Sequence, residues 1–473
     1  VKLEELGTPD RALITSISVE GLFGRYSYQL DVPQANDSRL VLVHGSNGTG
    51  KTTVLKLIWN VLSSADDKGH RTQIARVPFK RLIITFADGS VLTCRKKDDL
   101  LGDFEIVVKR RGEPMAVAQY VVSDGAIVPN QDERRRSIQV GHKRDKAGWR
   151  VVDMLPGMEV VDEPDGDAIY LAFLEEMGFM PLFLADDRTL YSDDEEIARQ
   201  RERFARQEEE RFMRGGRHLL HTRSSDLAAA ELRMTLRRLT DWSRQLTLGG
   251  QNTGSAGANS IYRDVLVQLA SNASPGASNL SSPDDLMMAV AEAGNASARF
   301  EEFDLVPSFP SEEYLLLLSQ LRSQGGEKLL LAQQILSPYL ASLQTRFSAL
   351  EELEAVVRKL VSLLNDFLEE KTVGFNPASG LMIFTPSGEP LDPTSLSSGE
   401  RQLVMLFCTA VLARRNSRLF IIDEPELSLG VKWQRKLIDA LLSLTEGTPM
   451  QLIVATHSIE ISSGNPEALV GLK

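Results

Sequence analysis

Residues Gly45, Ser46, Asn47, Gly48, Thr49, Gly50, Lys51 and Thr52 form a G-x-x-x-x-G-K-T loop, followed directly by Thr53. Glycines at this spacing let backbone N–H groups converge on an anion, and a helix starting at the loop's end adds a favourable dipole. Lys51 is placed to reach terminal phosphates, and the Thr52 hydroxyl to ligate Mg²⁺. The context fits that chemistry. Val41-Leu-Val before the loop reads as a buried strand. After it, Val54, Leu55, Leu57, Ile58, Val61 and Leu62 mark a helical apolar stripe.

Three further motifs lie far downstream. Leu419-Phe-Ile-Ile is a second buried strand ending in Asp423-Glu424-Pro425. Asp423 is placed to hold Mg²⁺, and Glu424 to polarise an attacking water as a general base. Leu452-Ile-Val-Ala-Thr456 is a third strand, with His457 at its end. The helical span Val431–Leu444 separates these strands, so a repeated strand–helix–strand unit brings all three strand ends to one sheet edge. His457 is then set to contact a terminal phosphate. Finally, Leu396-Ser397-Ser398-Gly399-Glu400 precedes an apolar helix from Leu403 to Ala413. Ser397 with the backbone of Ser398 and Gly399 would make an anion site at its N-terminus. Alone, that segment is an ordinary serine cap with a glutamate in the first turn.

As a set, these motifs resemble the ATP-binding cassette (ABC) ATPase superfamily. Gly45–Thr52 matches Walker A, Leu396–Glu400 the signature, Asp423 and Glu424 Walker B, and His457 the switch histidine. Leu427-Ser428-Leu429 falls at the D-loop. The Q-loop has no clear match: Gln119 and Arg188, the latter after the apolar Pro181-Leu-Phe-Leu run, are its candidates. The signature reads S-S-G-E rather than S-G-G-Q. That glutamate and a helical insertion are similar to the SMC, Rad50, RecF and OLD branch. The resemblance implies an α/β ABC ATPase head, with a mixed sheet carrying the phosphate loop and an antiparallel β subdomain, interrupted by a helical lobe. It implies ATP and Mg²⁺ as cofactors. It also implies a homodimer or higher assembly, in which Ser397 and Gly399 of one copy meet the phosphate held by Lys51 of another.

The expected organisation is head residues 1–186, a helical lobe over 187–370 and the rest of the head over 371–473. Strands are expected at Leu13–Val19 and Tyr26–Val32, with Phe23 or Arg25 beside a base or phosphate. A hairpin is expected around Asp88-Gly89 and helices over Leu227–Leu246, Glu312–Leu321 and Glu327–Glu370. Residues 193–217 are dense in charge, and 249–260 and 271–283 read as loops.

The 473 residues carry 42% hydrophobic and 25% charged residues, the composition of an ordinary globular protein. No stretch is apolar enough to cross a bilayer and the beginning of the sequence has no signal-peptide core, so no membrane partner is expected. Two cysteines, Cys94 and Cys408, fit a reduced cytoplasmic setting. A net charge of −12 argues against general nucleic-acid coating. The basic stretch Arg134–Arg136, His142–Arg144, Lys146 and Arg150 leaves local contact with phosphates or an acidic partner open.

OLD-type nucleases carry a metal-dependent TOPRIM domain beyond the switch histidine, and nothing like it follows His457 here. A controlled nuclease or toxin is therefore expected to be a separate subunit. The layout resembles the ATPase subunits of two-component anti-phage systems such as PARIS and Septu, with a phage protein as trigger. The alternative is a RecF- or Rad50-like ATPase that clamps DNA directly.

Overall fold

A computed structural model describes residues 13–32, 39–65, 68–123, 126–129, 151–154, 158–161, 166–193, 229–250, 282–324 and 326–472. The basic stretch at 134–150, residues 194–217 of the charged segment, and the proposed loops at 251–260 and 271–281 lie outside them. Two compact units emerge: Val1–Ala228 with Ala413–Lys473, and Ala229–Leu412.

The first unit contains two large sheets and a two-stranded one, β9 (Val151–Met154) with β10 (Met158–Val161). Strands β1 (Ile14–Leu22), β2 (Tyr26–Asp31), β4 (Arg81–Phe86), β5 (Val91–Lys96), β6 (Phe104–Arg110), β7 (Glu113–Ser123) and β8 (Ala126–Pro129) form an antiparallel sheet in the order β2-β1-β4-β5-β6-β7-β8. The β4–β5 turn forms at Asp88-Gly89 as expected. Gly89 has φ of 80°, and the Asp88 carboxylate accepts from the Ser90 N–H and hydroxyl, both at 2.8 Å.

The second sheet combines β3 (Leu40–His44), β11 (Leu182–Leu184), β12 (Leu190–Ser192), β15 (Leu419–Asp423), β16 (Gln451–Thr456) and β17 (Leu469–Gly471) in the order β12-β11-β15-β16-β3-β17. All pairs are parallel except β11–β12. Residues 419–423 and 451–456 are buried at every position, which is why these segments read as unbroken apolar runs rather than alternating ones.

Helix α1 (Lys51–Leu62) buries the apolar stripe that its sequence marks. Its C-terminal carbonyls are tied down by buried donors from neighbouring segments. Arg71, on α2 (His70–Arg76), donates to the Asn60 carbonyl at 3.0 Å and the Ser63 carbonyl at 3.2 Å. The Tyr170 hydroxyl of α3 (Gly166–Met177) donates to the Val61 carbonyl. A cation at the carbonyl end also complements the helix dipole. This anchoring holds the helix whose other end forms the phosphate loop.

The second unit holds a helix over 229–250 and helices Pro283–Glu301, Ser311–Gln324 and Gly326–Phe367. It continues into the hairpin of β13 (Thr372–Asn376) and β14 (Gly380–Phe384) and the helix Ser398–Ala413. Pro283–Glu301 begins with a capping box in which Ser282 and Asp285 satisfy each other's backbone N–H groups. Phe300 stacks on Phe347 with centroids 5.2 Å apart, fastening this helix to the 42-residue one. Among the described residues no helix is long and apolar enough to span a membrane. The fold is thus the α/β class expected: a phosphate-loop sheet, an antiparallel sheet and a helical lobe.

Replacing Arg71 by alanine strips two buried carbonyls of their donor. Unfolding free energy is expected to drop by about 3 kcal/mol, read from the denaturant midpoint.

Candidate functional site

Register decides what meets at the sheet edge. Asp423 pairs with Ala455, Thr456 with His44, and Leu184 with Ile422. The carboxyl ends of β3, β15, β16 and β11 therefore lie level, where open α/β sheets bind ligands. The Gly45–Thr53 segment leaves β3 at this edge, Asp423-Glu424 ends β15, and His457 follows β16.

The loop's shape depends on Gly50, which caps α1 in the left-handed region with φ of 87°. A Cβ there would sit 2.9 Å from Leu22 Cδ2 and 3.1 Å from Phe23 Cε2, so both conformation and space require glycine. Phe23, half-exposed at the β1–β2 turn, thus lies against the phosphate loop, and the Arg25 guanidinium sits 5.3 Å from the centre of the Tyr26 ring. Thr49 braces the turn by donating its hydroxyl to the Ser46 carbonyl at 2.8 Å, while its own carbonyl accepts from the Tyr28 hydroxyl at 2.7 Å. Lys51 is 5% exposed and folds over the loop. Its Nζ donates to the Gly45 carbonyl at 2.9 Å and lies 3.9 Å from Glu424 Oε1.

Asp423 is 2% exposed and neither carboxylate oxygen has a hydrogen-bond partner. Burial pushes its acid up to about 6; the nearby Thr52 hydroxyl works against that, and the Asp186 and Glu424 carboxylates reinforce it. A buried carboxylate with two unused oxygens beside a threonine hydroxyl is a donor set suited to Mg²⁺. Glu424 has φ of 48°, uncommon outside glycine and of the kind that concentrates at functional sites. Its N–H donates to the Ala455 carbonyl at 2.8 Å, so the strained residue is pinned to the neighbouring strand. The carboxylate then stands between Lys51 and His457, whose Nδ1 is 3.2 Å from Oε2.

The signature motif belongs to the other unit. Ser397 accepts from the Glu400 N–H at 3.3 Å, and the Glu400 carboxylate accepts from the Ser397 N–H at 2.8 Å. This is the capping box that the segment alone suggests, and Lys371 joins it at 2.7 Å from Glu400 Oε1. Burial raises the Glu400 acid, but Lys371 and the Ser397 N–H and hydroxyl outweigh it and hold the carboxyl below its usual value. Ser398 and Gly399 occupy the first turn of that helix.

Of the two Q-loop candidates, Gln119 is on β7 of the antiparallel sheet, accepting from Lys97 at 3.1 Å. Arg188 lies in the β11–β12 turn and donates to the Ser428 hydroxyl at 2.6 Å, joining that turn to the D-loop position. Two acidic residues escaped the sequence reading. Asp186 follows β11 beside Asp423, and its signal was an aspartate after the same apolar run that pointed to Arg188. Glu426 is buried next to His457, and Asp-Glu-Pro-Glu displays it openly.

A family described as "AAA domain, putative AbiEii toxin, Type IV TA system" matches residues 181–463, more than half of the chain. The chain belongs to this AAA-domain family. The AAA-domain chain is also 35% identical over 92 residues to the DNA double-strand break repair Rad50 ATPase of Sulfurisphaera tokodaii, covering 19% of this chain and 10% of that protein. It is 37% identical over 71 residues to the lipoprotein-releasing system ATP-binding protein LolD of Ruegeria pomeroyi, covering 15% of this chain and 30% of that one. Among solved structures, the Smc head domain with an extended coiled coil derived from Pyrococcus furiosus aligns with TM-score 0.39 and 12% identity, over 98% of this chain and 94% of that one. The aligned segments are thus short against the full length of Rad50 or LolD.

Because the Asp423 acid is raised from 3.8 to about 6, the ligand-free fold holds a proton between those values that the unfolded chain has released. Stability of the metal-free protein is expected to decline as pH rises through this window, and less so in Asp423→Asn. Thermal unfolding from roughly pH 4 to 7 measures the difference.

Proposed function

We propose that this chain binds and hydrolyses ATP with Mg²⁺ and acts as the sensor and scaffold subunit controlling a separate nuclease or toxin in anti-phage defence. The observation carrying the ATPase reading is the convergence of Lys51, Asp423, Glu424 and His457 at one sheet edge, with Asp423 buried and unpartnered. Gly45–Thr53 would cradle the phosphates through backbone N–H groups, and Lys51 would exchange its contact with the Gly45 carbonyl for phosphate oxygens. Thr52 and Asp423 would hold Mg²⁺, which would neutralise charge on the phosphates. Glu424 would accept the proton of the attacking water, and His457 would contact the terminal phosphate.

By the family resemblance, a second copy would supply Ser397, Ser398 and Gly399 across a sandwiched nucleotide. Residues 1–186 and 371–473 would form that head, with 187–370 as the lobe carrying partner contacts, in the cytoplasm. The toxin-related description of the matched family favours the defence role. A trigger such as a phage protein would act by binding the ATP-held and released states with different affinity.

A second reading, a Rad50-like ATPase that grips DNA, is favoured by the Rad50 similarity. It requires ATP-dependent DNA binding that weakens steeply with salt.

Lys51→Ala is expected to abolish nucleotide binding. Glu424→Gln should retain binding while turnover falls at least about 100-fold, trapping the assembled state. Normal turnover by Glu424→Gln would remove that residue from the base role. Mass spectrometry of partners held by the trapped form from its native host separates the two biological readings. A stoichiometric nuclease or toxin supports the first, and DNA without a protein partner the second.

A further inference from the structure

A helix N-terminus attracts anions through its first N–H groups, which have no acceptor within the helix. At Ser398–Ala413 the capping box engages two backbone N–H groups: that of Glu400 on the Ser397 hydroxyl, and that of Ser397 on Glu400 Oε2. Those of Ser398 and Gly399 are left for a phosphate. The same box, however, sets a carboxylate in the helix's first turn. Its full negative charge opposes the roughly half positive charge that the helix dipole supplies. Unrelieved, Glu400 would turn an anion away.

Lys371 supplies the relief. Its Nζ donates to Glu400 Oε1 at 2.7 Å, the oxygen that the Ser397 N–H does not use. The two side chains are 21% and 14% exposed, so water and salt screen the pair less than they would a surface ion pair. The lysine is also firmly carried. It ends the turn between helix Gly326–Phe367 and β13, where its N–H donates to the Leu368 carbonyl at 3.2 Å. Before it, Phe367 meets Phe407 of the signature helix edge-on, with centroids 5.2 Å apart. After it, Asn365 clamps β13 by accepting from the Val373 N–H at 2.8 Å and donating to the Val373 carbonyl at 3.1 Å. The backbone is thus held on both sides of Lys371, with the helix of Glu400 packed against it.

We propose that Lys371 is a positioning residue that acts through Glu400, cancelling its charge so that the Ser398 and Gly399 N–H groups can receive a phosphate held by another copy. The lysine itself does not touch that phosphate. This rests on the two-copy reading of the signature given above.

The test follows ATP-dependent association of full-length Glu424→Gln chains by sedimentation velocity, with ATP and Mg²⁺. Adding Lys371→Met is expected to weaken association at least about 10-fold, whereas Lys371→Arg changes it by less than about threefold. In a chain that also carries Glu400→Gln, Lys371→Met should cost less than about threefold, because no charge remains to be cancelled. Raising NaCl from about 50 to 500 mM should narrow the gap between Lys371→Met and its parent, since salt screens the repulsion. A merely structural lysine would leave that gap unchanged. Should Lys371→Met fail to fold, Lys371→Gln still donates to the carboxylate without carrying charge, and the same pattern is expected. Undiminished association in Lys371→Met, an equal loss with and without Glu400→Gln, or a gap that salt does not narrow overturns the proposal alone. A Glu424→Gln parent that binds ATP yet stays monomeric overturns the two-copy reading and the proposal with it.

Discussion

The parallel ladder through β11, β15, β16 and β3 is the constraint on which everything at the site depends. Its hydrogen bonds fix how far each strand extends toward the ligand edge, and buried apolar side chains hold that alignment. In a strand, sliding by one residue exchanges the faces on which successive side chains point. A slip of β15 would carry Glu424 toward the place of Asp423 and leave Lys51 without the carboxylate 3.9 Å away. Precise placement of four polar groups thus derives from residues that have no polar atoms in their side chains.

The charge balance of the edge is uneven. Asp186, Asp423, Glu424 and Glu426 bring carboxylates together there, while Lys51 and Lys56 are the lysines whose interactions with them are resolved. The surplus is kept apart by different means. Glu426 is satisfied by donors on one oxygen, Glu424 is shared between Lys51 and His457, and Asp423 is driven toward its protonated form. A divalent cation would relieve the last of these most, because it alone meets a carboxylate with both oxygens free.

Much of this was legible in the sequence. The phosphate loop, the strand ends at Asp423 and His457 and the Asp88-Gly89 hairpin depend on local chemistry, which spacing reveals. The helix over Ser398–Ala413 starts five residues before the expected Leu403, because the Ser397–Glu400 box nucleates it ahead of its apolar stripe. Asp186 and Glu426 were not recognised, for a physical reason. Their significance comes from neighbours on other strands, Asp423 and the Thr456–Ser458 turn, and no window along the chain contains both partners. The pinning of α1 by Arg71 and Tyr170 is equally nonlocal. Gln119 stands on β7 of the antiparallel sheet, apart from the strands that end at the ligand edge.

Strand β3 has consequences for how the protein is made. Its neighbours are β16 and β17, and the first residue pairing joins Leu40 to Leu452, more than 400 positions later in synthesis. During translation the phosphate loop therefore emerges long before any strand can dock against the one that carries it. Non-local pairing of this kind is slow to form and exposes apolar edges in the meantime. It also means that the nascent polypeptide cannot assemble Lys51, Asp423, Glu424 and His457 until nearly all of the sequence considered has left the ribosome. Whatever the finished site does, synthesis itself delays its first opportunity to do so.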